Sequence, residues 1–339
     1  MAVEALLRIM APVPMMPRYV TDKPYGVRGN MANKKYRHST PEYNIIIQTN
    51  SKGIRADREI PYEKKPHMKR VVLLGDSFGM GYGVNADEMF TARMTYYLKT
   101  RFNYDVEIVN LSTSGHGNAE ELIVLLNEGF KYAPDLVLLA WHYTDLEDNV
   151  RSNLFELADG KLTRKAKSYL PGVKERNFLN QFRIYSFLAE HSQIYNLCRN
   201  WAGVKVKRWL VKARSMRSDK KRKTKRVKNI PKKRYERELS TALLERIEQE
   251  CSRKNIHFMV LDIPLRISRT EFKSAFPFEY SSKANPFPVI SPIDKFKKHA
   301  GRQIYWEKGD GHFTPLGCDI VGDVLADYIG QNELLGPKQ

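Results

Sequence analysis

A serine stands at an abrupt change in the chain, where residues 71–83 read V-V-L-L-G-D-S-F-G-M-G-Y-G. Four apolar residues run directly into Gly75, Asp76 and Ser77, which predicts a buried strand with Ser77 at its tip. Glycine lets the backbone turn sharply, and we expect the following helix to direct amide N–H groups at whatever Ser77 binds. These features suit a serine nucleophile. The alternative is a strand that ends in a glycine-rich turn and has no catalytic role.

A serine nucleophile requires a general base, a group that orients the base, and hydrogen-bond donors for the developing oxyanion. The candidate base is His312 in G-D-G-H-F-T-P-L-G, and Asp310, two residues earlier, is suited to hold the imidazole in the required tautomer. The alternative is that Asp310 and Gly311 form a turn and that His312 is a surface residue before a helix starting near Thr314.

Hydrogen-bond donors are expected at the ends of the neighbouring strands. The backbone N–H groups of Ser77 and Gly115 are the first candidates, because Gly115 lies in N-L-S-T-S-G-H-G-N after the second strand. The third strand ends in W-H-Y-T-D-L-E-D-N and adds polar groups to the same edge. Asp76, His116 and His142 are therefore candidate pocket residues, although a solvent-exposed His116 is an equal alternative.

Alternating strands and helices position these residues. The apolar strands V-V-L-L-G, V-E-I-V-N-L and D-L-V-L-L-A-W are separated by the helical patterns E-M-F-T-A-R-M-T-Y-Y-L and A-E-E-L-I-V-L-L-N-E-G-F-K-Y. Strands that are apolar on both faces, each followed by a helix, predict an α/β fold with a parallel sheet covered on both sides. Ligands bind such sheets at the carboxyl ends of the strands, which is where Ser77 and Gly115 are expected.

The pattern also predicts the organisation of the chain. Residues 1–66 are expected to form an irregular N-terminal arm packed on the core, and residues 67–335 the α/β domain. The alternation lapses over about 151–235, which predicts a helical and basic insertion into that domain. The pattern then resumes with a helix, a strand at Ile256–Leu261 and a last helix after Pro315.

The positive charge is concentrated in one segment. The 339-residue chain has a formal net charge of +19. Residues 205–234 hold sixteen Lys and Arg against one acid, Asp219, a net charge of +15, so all the other residues together carry only +4. With Trp201 and Trp209 beside it, this segment predicts contact with an anionic membrane surface or an acidic glycan. It has no nucleic-acid-binding signature, and the alternative is a solvated loop.

Several other classes of protein are disfavoured. The three cysteines, Cys198, Cys251 and Cys318, lack the spacing of a disulfide framework or a zinc site. The chain also lacks a phosphate-binding glycine motif, so we expect neither a metal nor an organic cofactor. The N-terminus, M-A-V-E-A-L-L-R-I-M, predicts a short amphipathic helix that docks on the domain or on a membrane surface. Without a signal peptide or a transmembrane run, we expect a cytoplasmic or peripheral membrane protein, unless an N-terminal anchor is missing.

The ordered blocks resemble the SGNH/GDSL hydrolase superfamily. The blocks are G-D-S-F after a strand, a glycine after the second strand, a polar residue after the third strand and a late D-x-H. The segment N-S-K-G-I-R-A-D-R-E at 50–59 is similar to the N-x-x-G-x-R segment of one bacterial branch of the superfamily, with Asn50, Gly53 and Arg55 in place. The similarity covers roughly residues 43–149 and 236–330.

This resemblance implies a three-layer flavodoxin-like sandwich in which Ser77 is the nucleophile and His312 the base, with a nearby Asp as partner. It also implies an oxyanion hole made by the Ser77 and Gly115 amides and a third-strand side chain. It adds Asn50 and Arg55 to the candidate pocket residues. Two features depart from the branch pattern. Thr144 stands where an Asn is usual, and residue 309, where the superfamily commonly has its Asp, is a glycine. Either Thr144, His142 or a shifted residue supplies the third donor.

The residues and the resemblance together predict a serine esterase that hydrolyses an acyl ester, foremost an acetyl ester, on a carbohydrate or lipid. A glycan O-acetyltransferase is the nearest alternative. The second alternative, from a different class, is a weakly catalytic or non-catalytic binding module on the same fold, which the Thr144 departure and the basic segment motivate.

Overall fold

The computed structural model describes residues 2–201, 232–277, 286–308 and 311–336. Its first half contains α1 (Ala2–Met10), β1 (Val20–Asp22), β2 (Arg28–Asn30), β3 (Lys35–Ser39), β4 (Asn44–Gln48), β5 (Lys69–Gly75), α2 (Phe90–Phe102), β6 (Val106–Asn110), α3 (Asn118–Asn127), β7 (Leu136–Trp141) and α4 (Thr144–Ser152). Its second half contains β8 (Phe155–Ala158), β9 (Lys161–Arg164), α5 (Val173–Asn180), α6 (Arg183–His191), α7 (193–201), α8 (Lys232–Ser252), β10 (His257–Asp262), β11 (Leu265–Arg266), β12 (Phe272–Lys273), β13 (Val289–Ile290), α9 (Ile293–Lys298) and α10 (Pro315–Gln331).

Five parallel strands form the central sheet, in the order β6-β5-β7-β10-β13. Counted along the chain, this order is 2-1-3-4-5, the flavodoxin-like arrangement. The pairing brings Gly75 at the end of β5 opposite Ala140 of β7, and Asp262 at the end of β10 opposite Trp141. The ends of β5, β7 and β10 therefore meet at one edge of the sheet.

The two faces of the sheet are covered by different helices. Along β5, Val71 and Leu73 point into a core shared with α2, α9 and α10, whereas Val72 and Leu74 point into a core shared with α3 and α8. All four side chains are buried, which explains why the strand is apolar at every position and not at alternate ones. The predicted α/β sandwich with a central parallel sheet is confirmed.

The N-terminal arm is more regular than the sequence predicts. It contains the helix α1 and two antiparallel hairpins, β1–β2 and β3–β4. Three buried tyrosines and two isoleucines of the arm pack against Met80 and Tyr82, which follow Ser77. The arm thus covers the glycine-rich segment after the serine. The boundaries at 1–66 and 67–335 stay a prediction.

The region predicted as a helical insertion begins with the end of α4 and continues through the hairpin β8–β9 and the helices α5, α6 and α7. Most of the basic segment 205–234 lies outside the described residues, and only its last three residues belong to α8. Among the described residues, no helix combines the length and apolar character that crossing a bilayer requires.

Candidate active site

The structure places Ser77 and His312 in direct contact, although they lie 235 residues apart in the chain. Ser77 lies two residues after Gly75, the last residue of β5, and the His312 Nε2 atom lies 2.7 Å from the Ser77 Oγ atom. His312 precedes Thr314, whose hydroxyl caps the N-terminus of α10 by accepting the Gly317 N–H at 3.2 Å. The distance is that of a hydrogen bond between a hydroxyl nucleophile and its base.

This contact lies at the point of the sheet where the chain connections diverge. The connection after β5 runs through α2 on one face, and the connection after β7 runs through α4 to α8 on the other face. Because β5 and β7 are neighbours in the sheet, a crevice opens between them at their carboxyl ends. Ser77 occupies the β5 side of the crevice, and Thr144 occupies the β7 side.

The turn that presents Ser77 differs from the expectation. No helix begins directly after the serine: residues 77–83 form successive turns, and α2 begins only at Phe90. Gly81 and Gly83 have φ angles of +76° and +89°, which are incompatible with a right-handed helix. A Cβ atom on Gly79 would lie 2.3 Å from the Ser112 Oγ atom, so the close packing of this turn requires glycine there.

Asp76 stabilises the turn from within. Its Oδ1 atom accepts the Phe78 N–H at 2.8 Å, and its carbonyl accepts the Met80 N–H at 2.9 Å. The Ser77 carbonyl accepts the Tyr82 N–H at 3.1 Å. The side-chain carboxylate and the backbone carbonyl of Asp76 therefore both bind the backbone that follows the serine, which restrains the turn that carries its hydroxyl.

Arg55 and Asn50 act at a distance from the crevice. The Arg55 guanidinium is buried and donates to the carbonyls of Met80, Gly81 and Val84 at 2.5–2.7 Å. Asn50 forms the preceding turn, because its Oδ1 accepts the N–H groups of Lys52 and Ile54. These contacts correct the expectation that Asn50 and Arg55 belong to the pocket. The N-x-x-G-x-R segment instead clamps the loop that follows the serine.

His142 and His312 both contact the Phe78 ring, with ring centroids 4.8 Å and 4.5 Å from it. The His142 Nδ1 atom lies 2.8 Å from the Thr144 Oγ1 atom and 3.8 Å from Asp76 Oδ2. Burial lowers the pKa of His142 to about 4, against the opposing effect of the Asp76 carboxylate. His142 is therefore a neutral imidazole near neutral pH.

Two residues with unbonded backbone donors line the same crevice. Among the described residues, no acceptor bonds the N–H groups of Ser77 or Gly115. Gly115 has a φ of +77°, and its carbonyl is held from behind by the Arg28 guanidinium. This left-handed conformation is one that glycine adopts without strain, so the turn can aim its N–H group toward the crevice. Unbonded backbone donors beside a serine are suited to bind an oxyanion.

His116 does not belong to the pocket, and it is not exposed. Its side chain is 1% exposed, and its Nε2 atom lies 2.9 Å from the Arg28 carbonyl oxygen. Burial lowers its pKa to about 3, so it is a neutral residue that supports β2. Both interpretations of His116 made from the sequence are corrected, because the turn at Gly115 directs the next side chain inward.

A cavity of about 530 Å³ opens above Ser77 and is called here the Ser77 cavity. It is lined by Arg18, Asp76, Ser77, Phe78, Ser114, Gly115, His142, Tyr143, Thr144, Glu147, Asp148, Arg151, Pro264, Leu265, Arg266, Tyr305, Gly311 and His312. Six of the sequence-predicted residues are thus brought together: Asp76, Ser77, Gly115, His142, Thr144 and His312. Asp310 lies outside the described residues.

Sequence reasoning missed the residues that form the rim of the cavity. Arg18 comes from the N-terminal arm, and Arg266 comes from β11. Neither residue lies in a motif, and each reaches the rim only because a separate segment folds over the sheet edge. Tyr143, by contrast, sits inside the third-strand block that the sequence singled out.

Four carboxyl groups are buried near the cavity, and the last of them also lines it: Glu120, Glu121, Asp145 and Asp148. Burial raises the pKa of Glu120 to about 7 and of Asp148 to about 6, and burial with nearby carboxylates raises the pKa of Asp145. Asp145 accepts the His142 N–H at 3.1 Å and thus joins this group to the β7 turn. Within the described residues, no group of three or more His, Cys, Asp or Glu is arranged to hold a metal ion.

Several solved structures are similar to this chain, at low sequence identity. A lipase/acylhydrolase from Enterococcus faecalis is 16% identical with a TM-score of 0.42, covering 80% of this chain and 100% of that one. A GDSL-like lipase from Bacteroides thetaiotaomicron is 13% identical with a TM-score of 0.38, covering 80% of this chain and 93% of that one. An acetyl xylan esterase is 11% identical with a TM-score of 0.39, covering 77% of this chain and 99% of that one. No protein-family model and no curated protein sequence matches the chain. At such low identities, with TM-scores below 0.5, these similarities assign no function.

The buried carboxyl of Glu120 predicts a pH dependence of stability. The folded protein keeps this proton up to a pH of about 7, whereas the unfolded chain loses it near its ordinary value of 4.5. Unfolding therefore becomes easier as the pH rises through this window, by up to about 3 kcal/mol for the one group. We expect Glu120→Gln to have a higher melting temperature than the parent protein at pH 8.5 and nearly the same one at pH 4.5.

Thermal unfolding followed by circular dichroism across this pH range measures the difference. Glu271→Gln, at an exposed position, controls for the change in net charge. A melting-temperature difference between Glu120→Gln and the parent that does not grow with pH would contradict the prediction.

Proposed function

We propose that this protein is a serine esterase of the SGNH type that hydrolyses an acyl ester on a carbohydrate or lipid. The observation that carries the proposal is the 2.7 Å contact between Ser77 Oγ and His312 Nε2 at the crevice between β5 and β7. The three similar proteins described above are named for lipase, acylhydrolase or esterase activity, which agrees with this chemistry. The proposal itself rests on the geometry of the chain's own residues.

The proposed reaction begins when Ser77 Oγ attacks the ester carbonyl and His312 Nε2 takes the hydroxyl proton. The N–H groups of Ser77 and Gly115 stabilise the oxyanion of the tetrahedral intermediate. The C–O bond to the leaving alcohol then breaks, and His312 returns the proton to that alcohol. Water, deprotonated by His312, attacks the acyl-serine ester. The C–O bond to Ser77 Oγ then breaks, Ser77 recovers its proton from His312, and the carboxylic acid is released. Asp310 orients His312 in this scheme, and no step requires a metal or cofactor.

The third oxyanion donor in this proposal is the Thr144 hydroxyl, whose hydrogen is directed by His142. If His142 carries its proton on Nδ1, it donates to Thr144 Oγ1, and the hydroxyl hydrogen is free to face the oxyanion. If Nδ1 is unprotonated, the hydroxyl donates to His142 and is lost to catalysis. The Asp76 carboxylate, 3.8 Å from Nδ1, favours the first tautomer.

A glycan O-acetyltransferase would use the same acyl-serine, with a sugar hydroxyl replacing water as the attacking group. The exposed rim of the cavity, formed by Arg18, Tyr143 and Arg266, leaves room for such an acceptor. A binding module without catalysis would retain the cavity but not depend on the serine. Product analysis with and without an added sugar acceptor distinguishes the two enzymes.

We expect Ser77→Ala and His312→Ala to lower kcat for 4-nitrophenyl acetate and butyrate by on the order of 10⁴-fold or more, because both groups act in the same step. A fluorophosphonate probe should label the parent protein and not Ser77→Ala. Ser114→Ala is the matched control, because Ser114 lines the same cavity without contacting His312. Hydrolysis absent from the parent, or equal in Ser77→Ala, would sink the esterase proposal.

We expect Thr144→Ala to lower kcat by about 10²-fold with little change in KM, because an oxyanion donor acts on the transition state and not on the bound ester. Thr144→Ser keeps the hydroxyl and should retain most of the activity. Steady-state kinetics with 4-nitrophenyl acetate gives both constants. An unchanged kcat in Thr144→Ala would show that the Ser77 and Gly115 amides suffice.

The proposal also includes a partner, an anionic membrane surface or an acidic glycan, contacted through residues 205–234. One structural feature favours the membrane. Large apolar side chains are exposed along α1 and α5–α7, including Ile9 at 83%, Ile184 at 70% and Phe187 at 61%. Glu4 accepts the N–H groups of Gln193 and Ile194, so α1 is held against the start of α7 with its apolar residues outward.

Helices of this kind bind the boundary between lipid headgroups and acyl chains, and each basic residue near an anionic bilayer adds about 1 kcal/mol. We expect the protein to cosediment with vesicles that contain phosphatidylglycerol, and Ile184→Glu/Phe187→Glu and a deletion of 219–234 each to weaken binding at least about tenfold. Leu126→Glu, exposed on α3, is the matched control. Vesicle binding equal in all variants would exclude this surface, and binding to alginate alone would assign the glycan.

A further inference from the structure

Three arginines from separate segments lie close enough for their charges to act on one another, and one of them lines the Ser77 cavity. Arg18 lies just before β1 and lines the cavity itself. Arg28 lies on β2 and donates to the carbonyl of Gly115, one of the cavity residues. Arg176 lies on α5, which packs against β1. The name guanidinium cluster is used below for Arg18, Arg28 and Arg176.

The cluster contains charged atoms without a partner. The Arg176 Nη1 and Arg28 Nε atoms are buried and hydrogen-bond to none of the described residues. Arg18 is exposed and forms no ion pair with any residue that the structure describes. Burial lowers the pKa of Arg176, and the positive charges of Arg18 and Arg28 lower it further. Burial and the positive charge of Arg18 also lower the pKa of Arg199 on α7.

The nearby carboxylates are engaged elsewhere. Asp148 forms an ion pair with Arg151, and Glu147 adds to the negative charge around the same arginine. Glu307 pairs with Arg266 and Arg269, and Glu190 accepts the Tyr19 hydroxyl. The carboxylates of the rim therefore pair with Arg151 and Arg266. Arg18 and Arg176 are left without a counter-ion among the described residues.

A buried guanidinium that lacks both a hydrogen-bond acceptor and a counter-ion is destabilising, and such groups in folded proteins are normally paired. Arginine also presents a planar fork of N–H donors that matches the oxygens of carboxylate, phosphate and sulfate. An oxyanion is therefore the counter-ion that suits these arginines, and Arg18 lines the Ser77 cavity, from which such a group can approach.

We propose that Arg18 and Arg176, backed by the positive charge of Arg28, bind an anionic group of the substrate while its ester lies at Ser77. This inference rests on the proposed function, since it names the substrate class of that site. The substrate is an ester whose acyl or alcohol part carries a carboxylate, phosphate or sulfate. An acylated uronic acid residue and a phosphorylated glycan or lipid both have this chemistry.

Isothermal titration calorimetry on the Ser77→Ala protein tests the site without relying on catalysis. The probes are inorganic phosphate and glucuronate, which represent the two sources of the oxyanion. We expect at least one of them to bind, and Arg18→Ala and Arg176→Gln each to weaken binding at least about tenfold. Arg269→Ala is the control, because Arg269 is exposed, pairs with Glu307 and does not line the cavity, and it should change the affinity by less than about threefold.

Thermal unfolding of each variant confirms that the fold is intact. Affinities equal to those of the Ser77→Ala parent in both Arg18→Ala and Arg176→Gln would overturn the inference, as would a parent protein that binds neither anion. Anion binding that depends on the two arginines, in a wild-type protein that hydrolyses no ester, would preserve the subsite and overturn only the esterase proposal.

Competition kinetics give a second readout in the active protein. The anion that binds should inhibit hydrolysis of neutral 4-nitrophenyl acetate, and Arg176→Gln should raise its inhibition constant at least about tenfold. A general loss of structure would lower kcat instead and leave the ratio of inhibition constant to KM unchanged. An inhibition constant that Arg176→Gln does not raise would contradict the inference.

Discussion

The arrangement of the site depends on one topological constraint, the divergence of the connections after β5 and β7. These two strands are neighbours, but the chain leaves them toward opposite faces of the sheet. The gap between the departing segments cannot be filled by either connection, so it remains open at the carboxyl ends of the strands. The serine turn, the Gly115 turn and the start of α4 border this gap because each follows a strand that ends there.

The turn after β5 is held by the N-terminal arm. A loop with two positive-φ glycines has little tendency to keep one conformation, because glycine loses the most conformational freedom on folding. Arg55 offsets this cost by donating hydrogen bonds to three backbone carbonyls of the loop. The tyrosines of the arm also pack against Met80 and Tyr82. The arm is therefore part of the site's support, even though Asn50 and Arg55 do not reach the cavity.

Local patterns in the sequence predicted the strands and the residues at their ends, because buried parallel strands are apolar throughout and the site lies where they stop. This rule predicts Ser77, Gly115 and Thr144 as site residues. His312 is predicted because it stands just before the last helix. The hairpin β8–β9 was missed although D-G at 159–160, with both φ angles positive, is a turn signal between two strands. The positions of Arg18, Arg55 and His116 depend on contacts between distant segments, which no local pattern encodes.

The Thr144 departure takes on a different meaning beside His142. An asparagine amide has two N–H hydrogens and can give one to an oxyanion whatever its neighbours do. A threonine hydroxyl has one hydrogen, and the group that shares it here is an imidazole 2.8 Å away. Because His142 is buried and neutral, its tautomer and not its charge decides where that hydrogen points. In the proposed reaction the third donor is therefore a pair of residues, and its strength depends on the Asp76 carboxylate that also holds the serine turn.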